Sequence, residues 1–336
     1  SRYGVAPIVC INVFDPAKHA TPGQGEAPAT PDVTKVAKAD IIGGIDASTG
    51  QRTGLELVED VFPRFGLVPG QLLAPGFSDD PAVAVVLGAK AVGINGHFKA
   101  TAIADVPASV TKYTDAPAWL KENNLTDPAL QVFFGSPVFG NAVEHGSIHL
   151  AATIASRDAA NESVPYWSPS NKRLLCNGMS HAGKELALSP AEAAYLNGQG
   201  LVTGLNFTGQ MVAWGNRTAA YPAVTDVKDT FIPVRRMFNY IGNTLVLTAW
   251  QFTDSPLRRR FIEQICDSFN IWLNGLAARE YILGGRVSFL ADENPNTDLI
   301  DGIAKFHVYI APPPPAREIR FTLEYDPSYL TNLFAE

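Results

Sequence analysis

The sequence predicts an α/β fold: a mostly parallel sheet with helices on its faces, then a smaller C-terminal α/β unit. Three observations support this. Short apolar runs at 72–74, 101–106 and 131–138 are separated by segments with helical spacing, as when strands buried on both faces alternate with covering helices. Helix starts are marked by capping residues and first-turn prolines at Asp80-Pro81 and Ser189-Pro190. Near Thr230 the alternation gives way to two long helical segments and then three strand-like runs.

Composition bounds the class. The 336 residues correspond to about two domains at roughly 150 residues each. Hydrophobic residues make up 46%, enough to build real cores. No apolar run approaches the roughly 18 residues of a membrane span, and the chain does not open as a signal peptide. No membrane insertion is expected. The net charge of -7 argues against a nucleic-acid surface. Cys10, Cys176 and Cys266 are odd in number, far apart and in no CxxC spacing. They make neither a disulfide framework nor a cysteine zinc site, and they fit a reducing compartment. The chain reads as a soluble, intracellularly made, multi-domain protein. Charged residues are 18%, against roughly 25% in typical soluble domains. Such a shortfall is expected where partners cover part of the surface, although 28 Gly and 25 Pro also displace charge.

Taken in order, the apolar run from Val5 to Phe14 reads as a buried strand. With no Met or slack residues ahead of it, the chain is expected to lack upstream sequence. Residues 15–34 collect Pro, Gly, Ala and Thr without periodicity and read as a long loop. Between Thr53 and Phe65, the residues Leu55, Val58, Phe62 and Phe65 fall on helical spacing. Leu72-Leu73-Ala74 is a strand, and Ser78-Asp79-Asp80 then caps a helix with Pro81 in its first turn and its apolar face from Val83 to Ile94. The runs 101–106 and 131–138 are buried strands, with a helix around 110–123 between them. Helices follow at 149–160 and from Ser189, and short strands at 201–207 and 211–214. Residues 232–250 form one helix or two. Asp254-Ser255-Pro256 caps a long helix from Leu257 to about Glu280, striped by Phe261, Ile265, Phe269, Trp272, Leu273 and Leu276. Strands at 286–290 and 306–311 precede Pro312 to Pro315, and Ile319 to Tyr325 alternates apolar and polar residues as a final strand. A terminal strand on a polyproline tether either pairs within its own domain or donates itself to another sheet edge. From residue 231 onward the basic residues are nine Arg and one Lys, and Arg is the cation favoured at interfaces.

Each candidate for chemistry is incomplete. Gly178-Met179-Ser180-His181-Ala182-Gly183-Lys184 matches G-x-x-x-x-G-K, but Glu185 stands where a phosphate loop needs Ser or Thr for magnesium. His145 and His149 lie four apart beside Glu144, yet the motif is not HExxH, Gly146 interrupts the helix, and no third ligand is evident. Ser180-His181 are adjacent residues without a GxSxG elbow or a placed Asp. No GxGxxG follows a strand. No catalytic residue, metal or cofactor is therefore assigned.

The ordered set of features resembles the contractile tail sheath proteins of myophages, with relatives in R-type pyocins and other contractile injection systems. It comprises Pro7-Ile8-Val9-Cys10-Ile11-Asn12-Val13; Asp40-Ile41-Ile42-Gly43-Gly44 followed by Thr53-Gly54-Leu55; and Leu72-Leu73-Ala74-Pro75-Gly76 before Pro81. Trp214-Gly215-Asn216-Arg217-Thr218 and Tyr325-Asp326-Pro327-Ser328-Tyr329-Leu330 complete it. The resemblance implies a subtilisin-like α/β middle domain over 30–222, without protease function, after an N-terminal strand and loop at 1–29. It implies a tube-facing C-terminal domain over 223–311 and an arm over 312–336. It further implies stacked hexameric rings knitted by exchanged arms, around an inner tail tube, with baseplate and tail terminator proteins as partners. The location implied is a virion tail assembled in the host cytoplasm. Arg317, Ile319, Phe321, Leu323 and Tyr325 are the strand-exchange candidates, and Arg258, Arg259 and Arg260 the tube-facing ones. The family normally carries a donor arm ahead of the Pro7 run, which is absent from this sequence. Two other readings remain beside this one: an α/β hydrolase using Ser180 or His181, and a binding protein without chemistry.

Overall fold

The computed structural model describes residues 3–4, 7–22 and 29–334. Two small strand pairs come first, β1 (Ala20–Thr21) with β2 (Thr30–Pro31) and β3 (Gly44–Ile45) with β4 (Arg52–Thr53). Helix α1 (Lys38–Ile42) lies between the pairs, and a 3₁₀ turn, Gly54–Asp60, runs into α2 (Val61–Phe65). The single helix expected over 53–65 is thus a tight turn joined to a short helix. Gly43 and Gly54 have positive φ, and a Cβ on Gly54 would lie 2.5 Å from the Ile41 carbonyl oxygen. Only glycine permits so close a backbone approach.

The central sheet is built from β5 (Gln71–Leu73), β6 (Thr101–Asp105) and β7 (Leu130–Phe134). A smaller antiparallel sheet branches off through β8 (Ser136–Phe139) and β9 (Ala142–Val143). The chain rejoins the central sheet at β10 (Lys172–Arg173), adds β11 (Gly178–His181) and β12 (Lys184–Glu185) to the small sheet, and ends the region with β13 (Leu201–Asn206) and β14 (Met211–Trp214). Strand order in the central sheet is β10-β14-β13-β7-β6-β5. The four strands β5, β6, β7 and β13 run parallel, and β14 and β10 close one side antiparallel. The fold is therefore mixed α/β with a mostly parallel central sheet.

Helices α3 (Pro81–Ala91), α4 (Ala116–Glu122), α5 (Gly146–Ala160) and α6 (Pro190–Asn197) cover the sheet. Side chains alternate faces along each strand. Ala102, Ala104, Leu130, Val132 and Leu201 pack with α3, α4 and α6, while Ile103, Phe133 and Val202 pack with α5. The starts follow the sequence signals. Asp80 accepts from the Ala82 N–H at 2.9 Å ahead of Pro81, and Ser189 and Glu192 form a reciprocal capping box.

A third core joins α8 (Ile232–Ala249), which follows the short α7 (Val227–Thr230), to α9 (Arg259–Ala278) and the antiparallel pair β15 (Gly284–Ser288) and β16 (His307–Ala311). Ile265, Phe269, Leu273 and Leu276 of α9 are its buried stripe. A single short helix, α10 (Asn296–Ile300), lies between the two strands.

Several expectations are corrected. The helix expected over 110–123 begins only at Ala116, because Pro117 has no N–H to bond and fits only a first turn. The strand expected over 131–138 is split at Gly135, whose φ of 95° turns the chain out of the central sheet into β8. Gly146 does not interrupt α5 but opens it, since a Cβ there would lie 2.1 Å from the Phe133 ring. Residues 232–249 make one helix, and the strand expected at 286–290 starts two residues earlier at Gly284. Val5 and Ala6 of the expected opening strand lie outside the described residues, as do Gly23 to Pro28 of the long loop. Residues 7–14 carry no strand, and Ile8 is 74% exposed, because among the described residues no sheet edge pairs with them. Ile319 to Tyr325 forms no ladder either and lies exposed.

Candidate assembly surfaces

The apparent chemical motifs resolve into structural parts. The phosphate-loop match is a hairpin, with β11 and β12 joined by Ala182 and Gly183 at φ 50° and 75°. A phosphate loop needs a helix after its glycines, where this chain has a strand. Ser180 and His181 are neighbours on β11 and point to opposite faces. The buried His181 ring places Nε2 2.6 Å from the Val110 carbonyl oxygen and packs on Phe134. His149 has both ring nitrogens engaged, Nε2 by Glu144 at 2.6 Å and Nδ1 by the Tyr3 hydroxyl at 2.9 Å. His145 is the extended capping residue just ahead of α5 and makes no side-chain cap. At the C-terminal end of β6, where parallel sheets carry ligand sites, the buried Asp105 accepts from the Ser147 N–H and hydroxyl at 2.7 and 2.5 Å. Burial raises its pKa, and both carboxylate oxygens serve to cap α5.

What remains unaccounted for within the chain is apolar surface at its end. Ile319, Phe321, Leu323 and Tyr325 are 71%, 86%, 95% and 76% exposed. They alternate with Glu318, Arg320, Thr322 and Glu324, so in an extended chain one edge-on row is apolar and the other polar. Glu318 and Arg320 form an ion pair of 2.6 Å along the polar row. Arg317 is exposed at the base of the segment. Four large apolar side chains in a row open to water are the kind of surface at which proteins make contacts.

The basic cluster is also exposed. Arg258 is the capping residue of α9 without a side-chain cap, and the first turn contains no acidic residue. Arg259 reaches Glu263 one turn along at 2.8 Å, which raises its pKa. Three cations at a helix start oppose the helix dipole.

Two further surfaces escaped the sequence reading. Among the described residues no strand pairs with the outer edge of β16, in a two-stranded sheet backed by α9, whereas on β15 the Asn270 side chain accepts from the Val287 N–H at 2.7 Å and donates to the Val287 carbonyl oxygen. The second is the 3₁₀ turn Pro327–Phe334, whose Tyr329, Leu330, Leu333 and Phe334 are exposed. Its signal was the pairing of apolar residues three and four apart behind a proline.

The internal features of the resemblance, by contrast, hold the body together. Gly43 and Gly54 make the close backbone contact described above. Arg217 is buried between the Tyr221 and Phe231 rings, 4.1 and 3.8 Å from their centres, and donates to the Thr230 hydroxyl at 2.9 Å.

The chain is 28% identical over 326 residues to the tail sheath protein of Burkholderia phage BcepMu, covering 93% of this chain and 67% of that one. Its relatives are tail sheath proteins. A putative prophage major tail sheath protein of Pseudomonas aeruginosa (strain UCBPP-PA14) is 25% identical, covering 97% of this chain and 82% of the relative. No family model matches the chain. Among solved structures, the sheath of the PVC extracellular contractile injection system in its contracted state superposes with a TM-score of 0.66 at 19% identity, over 82% of this chain and 75% of that one. That likeness is one of fold. The resemblance to sheath proteins read from the sequence is thus matched by relatives along nearly the whole chain.

Proposed function

We propose that this chain is a structural subunit of a contractile tail sheath, polymerising as stacked hexameric rings around an inner tube and contracting to drive that tube through a host envelope. The exposed alternating row at Ile319, Phe321, Leu323 and Tyr325 carries the reading, in a chain whose relatives are sheath proteins. The row has the period of a strand and, among the described residues, no partner strand. The outer edge of β16 supplies a place for it on another copy. Main-chain hydrogen bonds would join the segment to that edge, and its apolar row would pack on the neighbour.

The proposed division is an N-terminal strand and loop at 1–29, a subtilisin-like middle domain at 30–222, a C-terminal domain at 223–311 and an arm at 312–336. It is supported by the separation of the cores, two against the faces of the central sheet and one around α8, α9 and β15. Arg258, Arg259 and Arg260 are proposed to face acidic groups of the tube, a use that would offset their poor placement at a helix start. Baseplate and tail terminator proteins complete the partner set, in a virion tail assembled in the host cytoplasm.

Head-to-tail contacts that do not close generate an open helix. An extended packing trapped kinetically at assembly can then relax by rigid-body rotation into one that buries more surface. Strand-to-edge hydrogen bonds would keep neighbours linked during that shift. The energy is stored in the packing, so the scheme calls on no catalytic residue and no cofactor. Deleting Arg317 to Glu336 tests it: the shortened chain is expected to fold with an unchanged melting temperature and to form no tubes by electron microscopy. Tubes of normal appearance from the deleted chain would overturn the arm assignment.

A further inference from the structure

The terminal turn Pro327–Phe334 needs a surface of its own. Its four apolar side chains are between 46% and 88% exposed, and Asp326 caps it by accepting from the Ser328 N–H at 2.9 Å. A 3₁₀ segment this short does not persist in water on local hydrogen bonds alone, so its apolar face is the feature that asks for a partner.

An open groove of about 850 Å³ lies between the start of α9, the end of β15 and α10. Ile262, Phe289, Leu299 and Ile300 give it an apolar lining, and Ile300 is 88% exposed. Arg258 and Arg259 stand on its α9 side. Groove and turn are thus two apolar surfaces of similar character on one molecule, each uncovered.

We propose that the terminal turn of one copy seats in this groove of a second copy. The inference rests on the reading that Ile319 to Tyr325 adds as a strand to a neighbour's β15–β16 sheet, and topology then brings the turn to the groove. A strand added antiparallel to β16 runs in the direction of β15, since β15 and β16 are themselves antiparallel. It leaves the sheet at the end where Phe289 follows β15, and Phe289 lines the groove. Asp326, between strand and turn, arrives on the α9 side of the groove, where Arg258 is the cation left over beside the Arg259–Glu263 pair and Asp267. The contact joins different surfaces of identical copies, which is the heterologous kind that propagates a helix.

Thiol crosslinking in assembled tubes tests this with the full chain. Leu333→Cys, in a background of Cys10→Ser and Cys176→Ser, leaves the native Cys266 of the groove as the second thiol. A short bis-maleimide is expected to give a ladder of covalent multimers on a denaturing gel, lost when Cys266→Ser is added. Tubes without a ladder, or a product crosslinked within one chain, would overturn the groove assignment while leaving strand addition intact. Failure of the unaltered chain to form tubes would overturn strand addition and the seating with it. Independently, Leu330→Asp with Leu333→Asp is expected to lower tube yield about tenfold, as for loss of a central apolar anchor. An unchanged yield would count against the turn as an anchor.

Discussion

Asp40 ties the N-terminal loop to α1. Its carboxylate pairs with Lys18 and accepts from the Ala37 N–H at 2.8 Å, and these contacts, Lys18 first, hold its pKa down from 3.8 to about 2. A carboxylate whose folded pKa is depressed stabilises the protein above its unfolded value, and that contribution disappears as pH falls through the folded value. Asp40→Asn is therefore expected to lower the melting temperature by about 2 °C near neutral pH. The difference from the unaltered chain should close as pH falls from 3.8 towards about 2. A difference independent of pH would show that packing, not charge, is what the substitution removed. Residue-level readings of this kind were only partly legible beforehand. Asp40 stood out as part of an ordered motif, but its tie to Lys18 spans a loop whose path no local rule fixes. Arg217 likewise read as one member of a motif, and only the fold places it between two rings.

Elements are joined by a buried ion pair. Arg236 of α8 donates from both terminal nitrogens to the two carboxylate oxygens of Asp158 near the end of α5, and the Arg236 side chain is only 7% exposed. Asn243, two turns along α8, donates to the Lys99 carbonyl oxygen at 2.8 Å and accepts from the Lys99 N–H at 2.8 Å. Together these fix α8 against the N-terminal side of β6. Removing one partner of a buried pair leaves an uncompensated charge, so Arg236→Ala is expected to cost roughly 3 kcal/mol in urea unfolding. Arg236→Met combined with Asp158→Leu should recover most of that loss, and a double variant as unstable as the single one would refute the account. At this scale the sequence was most readable where signals are local. The caps of α3 and α6, the apolar stripe of α9 and the central strands fall where spacing and capping residues predict. It was least readable where a long-range contact decides. Gly146 looks like a helix breaker until Phe133 is seen against it, and Gly135 gives no hint that the chain leaves one sheet for another. Pro117 did carry the correction to α4, had its missing N–H been weighed against apolar spacing.

For the whole molecule, the unanswered element is the one that matters most. Ile319 to Tyr325 has the alternation of a strand, yet a strand exists only through a ladder, and among the described residues no edge provides one. Alternation names a conformation the segment could take and not what it would pair with, because a ladder depends on a partner that local spacing does not contain. Hydrogen exchange separates the two states. In the monomer the amides of 319–325 face water and should exchange at the rate of an unfolded peptide. In tubes, a segment added to an edge places its N–H groups against carbonyls of the neighbour, and exchange there should slow at least about a hundredfold. The outward amides of β16 (His307–Ala311) should slow in the same sample, since donor and recipient are covered by one event. Amides of α3 and α5, already buried in the body, should change little. If 319–325 stayed fast in intact tubes while another surface became protected, the copies would be held together elsewhere, and the terminal segment would be a passenger in the assembly.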